Sequence, residues 1–243
     1  MPLLQSPLLR KLSRFVALTD DEAELLTRLQ RHSRDLQPGC ELIHEGQPRT
    51  TAFVLKRGWA FSYKVLPDGG RQIVDFHVPG DFLGLRGLLL HISDHSIDAL
   101  TPITVSELHG AELVGAFDTA PRLAAAVLWA ASRDEAVVVE HLVNVGRRSA
   151  EKRLIHLLLE IGARLKMAGM GDERGFACPL RQAHLADALG LSTIHVNRIL
   201  RALRDQGLLT FRQHRVTFHD IHALAELAGF DSSYLHLGGP ALR

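Results

Sequence analysis

Residues 182–201 read QAHLADALGLSTIHVNRILR, and this stretch decides the fold of the region around it. A helix-turn-helix needs a small residue where its two helices cross, a glycine that takes positive φ at the turn, and apolar residues that lock the helices together. Counted from Gln182, the diagnostic fifth, ninth, fifteenth and eighteenth positions hold Ala186, Gly190, Val196 and Ile199. The spacing therefore predicts two helices joined by a tight turn at Gly190.

The second predicted helix carries the candidate recognition surface. Ser192 is expected to cap it, because a serine hydroxyl accepts a hydrogen bond from an unpaired N–H of the first turn. The N-terminal end of such a helix is the part that enters a DNA major groove. Arg198 is the strongest candidate base reader, since a guanidinium can pair with both O6 and N7 of guanine, and Asn197 suits adenine or a phosphate. The other candidate DNA-contacting residues are Gln182, Ser192, Thr193, Ile194, His195, Arg201, Arg204 and Arg212.

Charge is distributed unevenly along the 243 residues. Residues 147–219 carry 13 Lys and Arg against 6 Asp and Glu, whereas residues 1–146 carry 14 against 18. A basic block of this kind suits a polyanionic partner. After the second helix, residues 208–211 and 215–218 are expected to form a two-stranded wing. Wing, charge and helix spacing together favour double-stranded DNA as the partner.

The region before residue 111 has the texture of an antiparallel β-structure. Thr19 and Glu22 form a predicted capping box for a short helix that ends near Arg31. Beyond it, Gly and Pro turn signals recur about every ten residues between 38 and 81. The intervening runs, rich in Phe, Val, Tyr and Thr, predict strands over 51–55, 59–65, 72–78 and a pair within 98–108. This rhythm is typical of a β-sandwich or barrel.

A long helix is expected to follow, capped by Asp118 or Thr119 and running from Pro121 to about Val145. Residues 123–131 are all apolar, so this helix must be covered on nearly all sides. The simplest way to bury this apolar surface is to pack it against the same helix of a second chain, which predicts a homodimer. The alternative is a buried helix within one large monomeric domain. Further along, residues 146–149 predict a hinge and residues 168–175 a flexible loop.

This order of elements resembles the Crp/Fnr superfamily of bacterial transcription regulators over residues 20–220. The resemblance rests on Gly46, Gly58, Gly70, the run VPGDFLG at 78–84 and the run LADALGLSTIHVNRILRALRDQGLL at 185–209. It implies an α+β chain with four parts: a β-roll sensor (1–118), a dimerisation helix (119–146), a winged helix-turn-helix domain (147–220) and a C-terminal extension (221–243). It also implies a homodimer that binds a palindromic site and recruits or blocks RNA polymerase.

The sequence departs from the superfamily pattern in the sensor. Relatives that bind cyclic AMP have a Glu directly after the Gly84 position and an Arg-Ser pair about ten residues later, where this chain has Leu85 and His95-Ser96. Their Thr-Ser pair on the dimer helix falls near Arg133-Asp134 here. A bound nucleotide would lose its ribose acceptor and its permanent phosphate cation, so cyclic AMP is not expected. The candidate effector-pocket residues are Leu85, Arg86, His95, Ser96, Arg133 and Asp134.

Two further departures concern other branches of the superfamily. The oxygen-sensing branch has an N-terminal cysteine cluster for an iron–sulfur centre, and this chain has no cysteine before Cys40. In the recognition helix, the Glu with which many members read cytosine is replaced by Ile194, while the shared Arg is Arg198. The half-site is therefore expected to differ from the common one, with Ile194 available for a thymine methyl group.

The sequence allows three interpretations of the sensor. The fourteen histidines, including His91 and His95, allow a haem or metal hypothesis, although solvated or packed histidines explain them as well. Cys178 could be a redox switch or a structural thiol. A protein that needs no ligand is the third interpretation. No cofactor, metal ligand or catalytic residue is predicted.

Two other classes of protein compete with a DNA-binding regulator. One is a regulatory subunit whose helical domain docks on another protein. The other is an enzyme, which is disfavoured because no Ser-His-Asp or paired-carboxylate arrangement stands out. The longest apolar run has nine residues, far short of the ~20 that span a membrane, and the N-terminus does not read as a secretory signal. A cytoplasmic protein is therefore expected.

Overall fold

The computed structural model describes residues 6–236, apart from the side chains of Leu89 and His236. The predicted C-terminal extension therefore lies partly outside the described residues, from position 237 onward. The described chain falls into two compact units. The first contains residues 6–63, 76–135 and 236, and the second contains residues 64–75 and 136–235.

The helices, in chain order, are α1 (Pro7–Leu12), α2 (Asp20–Leu29), α3 (Leu85–Leu90), α4 (Gly110–Thr119), α5 (Pro121–Arg147), α6 (Ala150–Met167), α7 (Gln182–Leu189), α8 (Thr193–Asp205), α9 (Ile221–Ala228) and α10 (Ser233–His236). The strands are β1 (Ser33–Leu36), β2 (Glu41–Ile43), β3 (Thr51–Arg57), β4 (Ala60–Val65), β5 (Arg71–His77), β6 (Phe82–Leu83), β7 (Ser96–Ala99), β8 (Ile103–His109), β9 (Gly171–Asp172), β10 (Gly175–Ala177), β11 (Leu209–Arg212) and β12 (Arg215–Phe218).

Two four-stranded sheets, of order β1-β8-β3-β6 and β2-β7-β4-β5, form the β-roll. Alternate side chains of β3, such as Phe53 and Leu55, point into the roll and pack with Ile97 and Val105. The strands predicted over 51–55, 59–65, 72–78 and within 98–108 are confirmed as β3, β4, β5, β7 and β8. The predicted set lacks β1, β2 and β6, which have two to four residues each and so are too short to show an alternating pattern.

Helices cover the other face of the β1-β8-β3-β6 sheet. Val54 and Leu108 point outward from β3 and β8 and share a second core with Leu26 of α2 and Leu123 of α5. The capping box at the start of α2 is confirmed, since the Glu22 N–H donates to Thr19 Oγ1 at 3.3 Å and the Thr19 N–H to Glu22 Oε2 at 2.9 Å. The same sheet is therefore buried on both faces.

The long helix differs in detail from its prediction. Asp118 and Thr119 do not cap α5, because both lie in the last turn of α4 and only Ala120 separates the two helices. The sequence pattern of a capping residue followed by proline is also compatible with two helices in succession. At its other end α5 continues through Gly146 to Arg147, so the break before α6 is shorter than expected.

The second unit holds the helix-turn-helix and a sheet of order β11-β12-β10-β9. The prediction of a flexible loop over 168–175 is wrong, because β9 and β10 form a hairpin that extends the wing. Gly175 has φ +135°, and a Cβ there would lie 2.0 Å from the Val216 carbonyl oxygen. A glycine at this position therefore serves close strand pairing, whereas the sequence alone associates it with flexibility.

The C-terminal residues pack on α6 within the same unit. The hydroxyl of Tyr234 donates to Glu160 Oε2 at 2.6 Å, and the ring of Phe230 meets the buried His156 edge-on at 5.0 Å. Leu235 packs with Val137 and Met167 in a small apolar cluster. Residues 221–235 therefore belong to the folded body of this unit.

Candidate nucleic-acid interface

The turn between α7 and α8 has the predicted geometry. Gly190 follows α7 with φ +62°, a conformation that costs glycine little, and the Leu191 N–H donates to the Ala186 carbonyl at 3.1 Å. Ser192 caps α8, because its Oγ accepts a hydrogen bond from the His195 N–H at 3.2 Å. The predicted turn and cap are confirmed, and together they fix the direction in which α8 leaves the turn.

One face of α8 packs inward and the other is open. Its buried residues are Val196, Ile199, Leu200 and Leu203. The side chains of Asn197, Arg198 and Arg201 are exposed on the opposite face, together with Thr193. Ile194 is 81% exposed in the first turn of the helix. An isoleucine that gains nothing from burial in the protein is available to an apolar group on a partner.

Several predicted contact residues are already linked to neighbouring side chains. The Asn197 amide donates to Oε1 of Gln182 at 3.2 Å, so the structure brings these two candidates together across the turn. Arg204 donates to Asp205 at 3.0 Å and is half-buried. His195 is also half-buried. Arg198 and Arg201 thus present the more exposed guanidinium groups of the helix.

The wing adds cations at its tip. Arg212 ends β11 and lies directly opposite Arg215 at the start of β12, and both are exposed. The intervening Gln213 and His214 have φ +51° and +56°, as in the tight turns that join antiparallel strands. Like charges in directly opposite positions destabilise a sheet unless a counter-charge is near. Sequence reasoning missed Arg215, which the hairpin register would have paired with Arg212.

A second contact that the sequence did not predict joins β5 to α7. Arg71, on β5, donates to Asp187 Oδ2 from Nη2 at 2.7 Å and from Nε at 3.1 Å. The neighbouring Gln72 amide donates to the Ala188 carbonyl at 3.0 Å. All four residues belong to the second unit. The partners are 116 residues apart, so no local sequence pattern indicates them.

The two cysteines differ in reactivity. Cys178 is buried beside the wing, where its N–H donates to the His214 carbonyl at 2.8 Å. Burial raises the pKa of its thiol to about 12, so it stays protonated and is a poor nucleophile. Cys40 is exposed. Within residues 6–236 no group of three His, Cys, Asp or Glu side chains is arranged to hold a metal ion.

The candidate effector-pocket residues form two separate sets of contacts. In the first set, Arg86 and His95 both pair with Asp94, the latter through Nδ1 at 2.8 Å. Ser96 is buried, and its Oγ accepts the Glu45 N–H at 3.0 Å. These side chains are therefore engaged by the sensor itself.

The second set surrounds a buried carboxylate. Lys11 Nζ donates to Asp81 Oδ1 at 2.8 Å, and Arg133 Nη2 donates to the same oxygen at 3.1 Å. All three side chains are buried. Arg133 also contacts Asp134 at 3.3 Å. Leu85 is half-buried and packs on the core under α5. Burial lowers the pKa of Lys11, and the neighbouring Arg133 acts in the same direction.

Comparison with known proteins agrees with this geometry. Residues 152–227 match the Crp-like helix-turn-helix domain family, and residues 33–119 match the cyclic nucleotide-binding domain family. The nitrogen fixation regulation protein FixK of Bradyrhizobium diazoefficiens is 31% identical over 77% of this chain and 78% of its own length. The transcriptional activator protein anr of Pseudomonas aeruginosa is 23% identical over 88% of this chain and 87% of its own length.

A solved structure gives the same result for the fold. The structure of FixK2 from Bradyrhizobium japonicum superimposes with a TM-score of 0.74 and 25% identity, covering 82% of this chain and 98% of that one. A β-roll, a long helix and a winged helix-turn-helix define the class of sensor-coupled DNA-binding proteins. This chain belongs to the Crp/Fnr family of transcription regulators. It is a DNA-binding regulator and not an enzyme. No helix within residues 6–236 is both long and apolar enough to cross a membrane.

Proposed function

We propose that this chain is a homodimeric transcription regulator that binds a palindromic DNA site through α8 and does not respond to cyclic AMP. The observation that carries the proposal is the capped, solvent-facing start of α8, with Ile194 and Arg198 on its open side. An exposed helix terminus of this kind fits the width of a major groove.

Base reading is assigned to Arg198 and Ile194. Arg198 would pair with guanine O6 and N7, and Ile194 would contact a thymine methyl group. Asn197, held by Gln182, would donate to a base edge or a phosphate. Gln182 is proposed to act by positioning Asn197. The residues proposed to contact phosphates are Ser192, Thr193, His195, Arg201, Arg204, Arg212 and Arg215. Phosphate contacts fix the register of the protein on the duplex without reading its sequence.

Dimerisation is assigned to the exposed face of α5. Leu128, Val139 and Leu142 are exposed there, Leu128 by 69% and Leu142 by 67%. They are separated by eleven and three residues, so all three fall on one seam of a seven-residue repeat. Apolar side chains at this spacing pair with a second helix in a left-handed coiled coil. Covering this seam with a second copy removes large apolar side chains from water.

The dimer geometry then sets the spacing on DNA. Two recognition helices related by a two-fold axis reach successive major grooves when they lie about 34 Å apart. The break at Arg148-Ser149, between α5 and α6, is the proposed hinge that sets this separation. A palindromic site follows because the two halves of a symmetric dimer read the same sequence on opposite strands. RNA polymerase is the proposed partner at the promoter, and the cytoplasm, where bacterial DNA lies, the proposed location.

The proposed insensitivity to cyclic AMP rests on contacts within the sensor. Arg133 is buried against Asp81, and the Ser96 hydroxyl already accepts a backbone N–H. Leu85 offers no acceptor for a ribose hydroxyl. His95 is paired with Asp94. A cyclic nucleotide would have to break these contacts and would leave its own polar groups unmatched.

Selection of duplexes from a random pool tests the proposal. Purified protein without added effector is incubated with the pool at two salt concentrations. The expected result is enrichment of a palindrome whose half-site contains a guanine that depends on Arg198, with weaker binding at higher salt. Complete absence of salt-dependent duplex binding would contradict the proposal and favour a regulatory subunit that docks on protein. Strong enrichment only in the presence of cyclic AMP would contradict the sensor assignment alone.

A further inference from the structure

A cleft on the β-roll holds two arginines over one aromatic ring. The cleft has a volume of about 240 Å³, and its lining residues are Arg34, Pro48, Arg49, Thr50, Thr51, Phe53 and Glu107. The guanidinium carbon of Arg34 lies 5.1 Å from the centre of the Phe53 ring, and that of Arg49 lies 5.3 Å from it. The ring face therefore positions both cations, since arginine planes are attracted to aromatic faces.

The charges of this cleft are not balanced. Glu107 is its one carboxylate among the lining residues, and it contacts Arg34 Nε at 3.3 Å. Arg49 donates from Nη2 to the Thr51 carbonyl at 3.3 Å, while its buried Nε has no hydrogen-bond partner among the described residues. Burial lowers the pKa of Arg49, and the nearby Arg34 lowers it further. One additional negative charge would relieve the repulsion between the two guanidinium groups.

The size and chemistry of the cleft restrict what can bind. Pockets for drug-sized ligands enclose roughly 300–1,000 Å³, so this smaller cleft suits a compact ligand. Two guanidinium groups offer parallel N–H pairs that match the oxygens of a phosphate or a carboxylate. None of the lining residues coincides with the positions 85, 95, 96 and 133 discussed for a cyclic nucleotide.

We propose that the cleft formed by Arg34, Arg49 and Phe53 is a binding site for a small oxyanion, either phosphate or a dicarboxylate. The anion occupies the space between the two guanidinium groups and accepts hydrogen bonds from the N–H groups that face the cleft. Glu107 competes with the anion for Arg34. Threonines 50 and 51 complete the polar lining.

Isothermal titration calorimetry of the full-length protein tests the site, in low-salt zwitterionic buffer. Sodium phosphate is the titrant in one arm and sodium malonate in the other. The expected result is saturable binding of at least one anion, with a dissociation constant of about 1 mM or below. Binding of phosphate alone assigns a tetrahedral oxyanion, and binding of malonate alone assigns a dicarboxylate. Absence of saturable binding in both arms overturns the proposal.

Four variants separate a built site from general surface charge. Arg49→Lys keeps the charge but loses the planar guanidinium group, whereas Arg34→Gln loses both. Each variant is expected to bind the anion at least about tenfold more weakly. Arg57 is exposed on β3, the strand that carries Phe53, but lies outside the cleft. Arg57→Gln should therefore change the affinity for the anion less than about twofold. Glu107→Gln is expected to tighten binding, a gain that damage to the fold would not produce. An equal loss in Arg57→Gln and Arg49→Lys overturns the proposal, with thermal unfolding as the check on folding.

Discussion

The side-chain amide of Asn197 donates a hydrogen bond to Oε1 of Gln182 over 3.2 Å, which joins α8 to the first residue of α7. This contact uses one donor of a side chain that the sequence assigns to DNA. Asn197 can therefore reach a base or phosphate in one orientation, with Gln182 as its positioning residue. The two residues are expected to act as one unit in DNA binding.

A double-mutant cycle measures this coupling. Gln182→Ala and Asn197→Ala should each weaken binding to the selected site, and the double variant should bind no more weakly than Asn197→Ala alone. Fluorescence anisotropy with a labelled duplex gives the affinities. Additive losses would mean that the two side chains contact DNA independently. Thr193→Ala is the control, because it shortens a side chain on the same exposed face that lies outside the hydrogen bond between Asn197 and Gln182.

Replacement of Arg198 by alanine should cost about 1–3 kcal/mol per half-site and relax the preference at one base pair. The reason is the loss of a bidentate contact that only guanine offers. Arg201→Ala is the matched control, since loss of a phosphate contact should weaken all sequences alike and reduce the salt dependence. Repeating the duplex selection with both variants checks this. An unchanged consensus for Arg198→Ala would show that another side chain reads the base.

Replacement of Leu142 by aspartate should dissociate the dimer, because an unpaired carboxylate would enter the proposed apolar seam from each chain. The expected loss is about 3 kcal/mol or more of association free energy. Sedimentation equilibrium measures it. Val114→Asp is the matched control, since Val114 is an exposed apolar residue of α4, outside the seam. A tight dimer in Leu142→Asp would place the interface elsewhere.

The stability of the fold should depend on His156 in acid. The His156 side chain is buried, with only 2% of the residue exposed. This burial lowers the pKa of its imidazole to about 4; the nearby Arg148 also lowers the pKa, whereas Glu140 raises it. In the unfolded chain His156 has a pKa near 6.5, so as the pH falls the unfolded state binds this proton before the folded state does. The free energy of unfolding therefore falls as the pH drops from about 6.5 to about 4, and His156 does not affect it above that window. The contribution is about 3 kcal/mol when the shift is complete.

Urea unfolding of the wild type and of His156→Gln at pH 7 and pH 4.5 checks this expectation. The variant should lose less stability between the two pH values, because glutamine does not titrate. His109→Gln, at an exposed histidine, should keep the wild-type difference. Equal pH dependence in all three proteins would show that His156 takes up its proton without unfolding the chain. The half-buried His141, whose pKa burial also lowers, should retain part of the effect.

The two thiols should react at very different rates with a disulfide reagent such as dithionitrobenzoate. Cys40 is exposed, whereas the buried thiol of Cys178 has a pKa of about 12 and almost no thiolate at neutral pH. One thiol per chain is expected to react in the folded protein and two after denaturation. Cys40→Ser should abolish the fast phase. Fast reaction of Cys178 in that variant would revive the redox interpretation of the sequence.

The local parts of this structure were predictable from the sequence. Ala186, Gly190 and Ser192 act within a few residues of themselves, so their spacing was enough to predict the crossing, the turn and the cap of the helix-turn-helix. The strands around 51–78 were likewise visible as runs rich in Phe, Val, Tyr and Thr between turn signals, and α5 was visible as a long apolar run. In each case the physical cause is a short-range one, namely local strand preference, capping or backbone conformation.

What the tertiary structure decided involves partners far apart in the chain. Residues 171–177 form the β9–β10 hairpin, and β10 also pairs with β12, which lies about forty residues further along the chain. Arg71 and Asp187 meet across 116 residues. Arg34 and Arg49 share the Phe53 ring because β1, β8 and β3 are neighbours in one sheet. Sequence determined which segments could be helix or strand, and only folding brought distant charges and strands within hydrogen-bonding distance, where their energies are set.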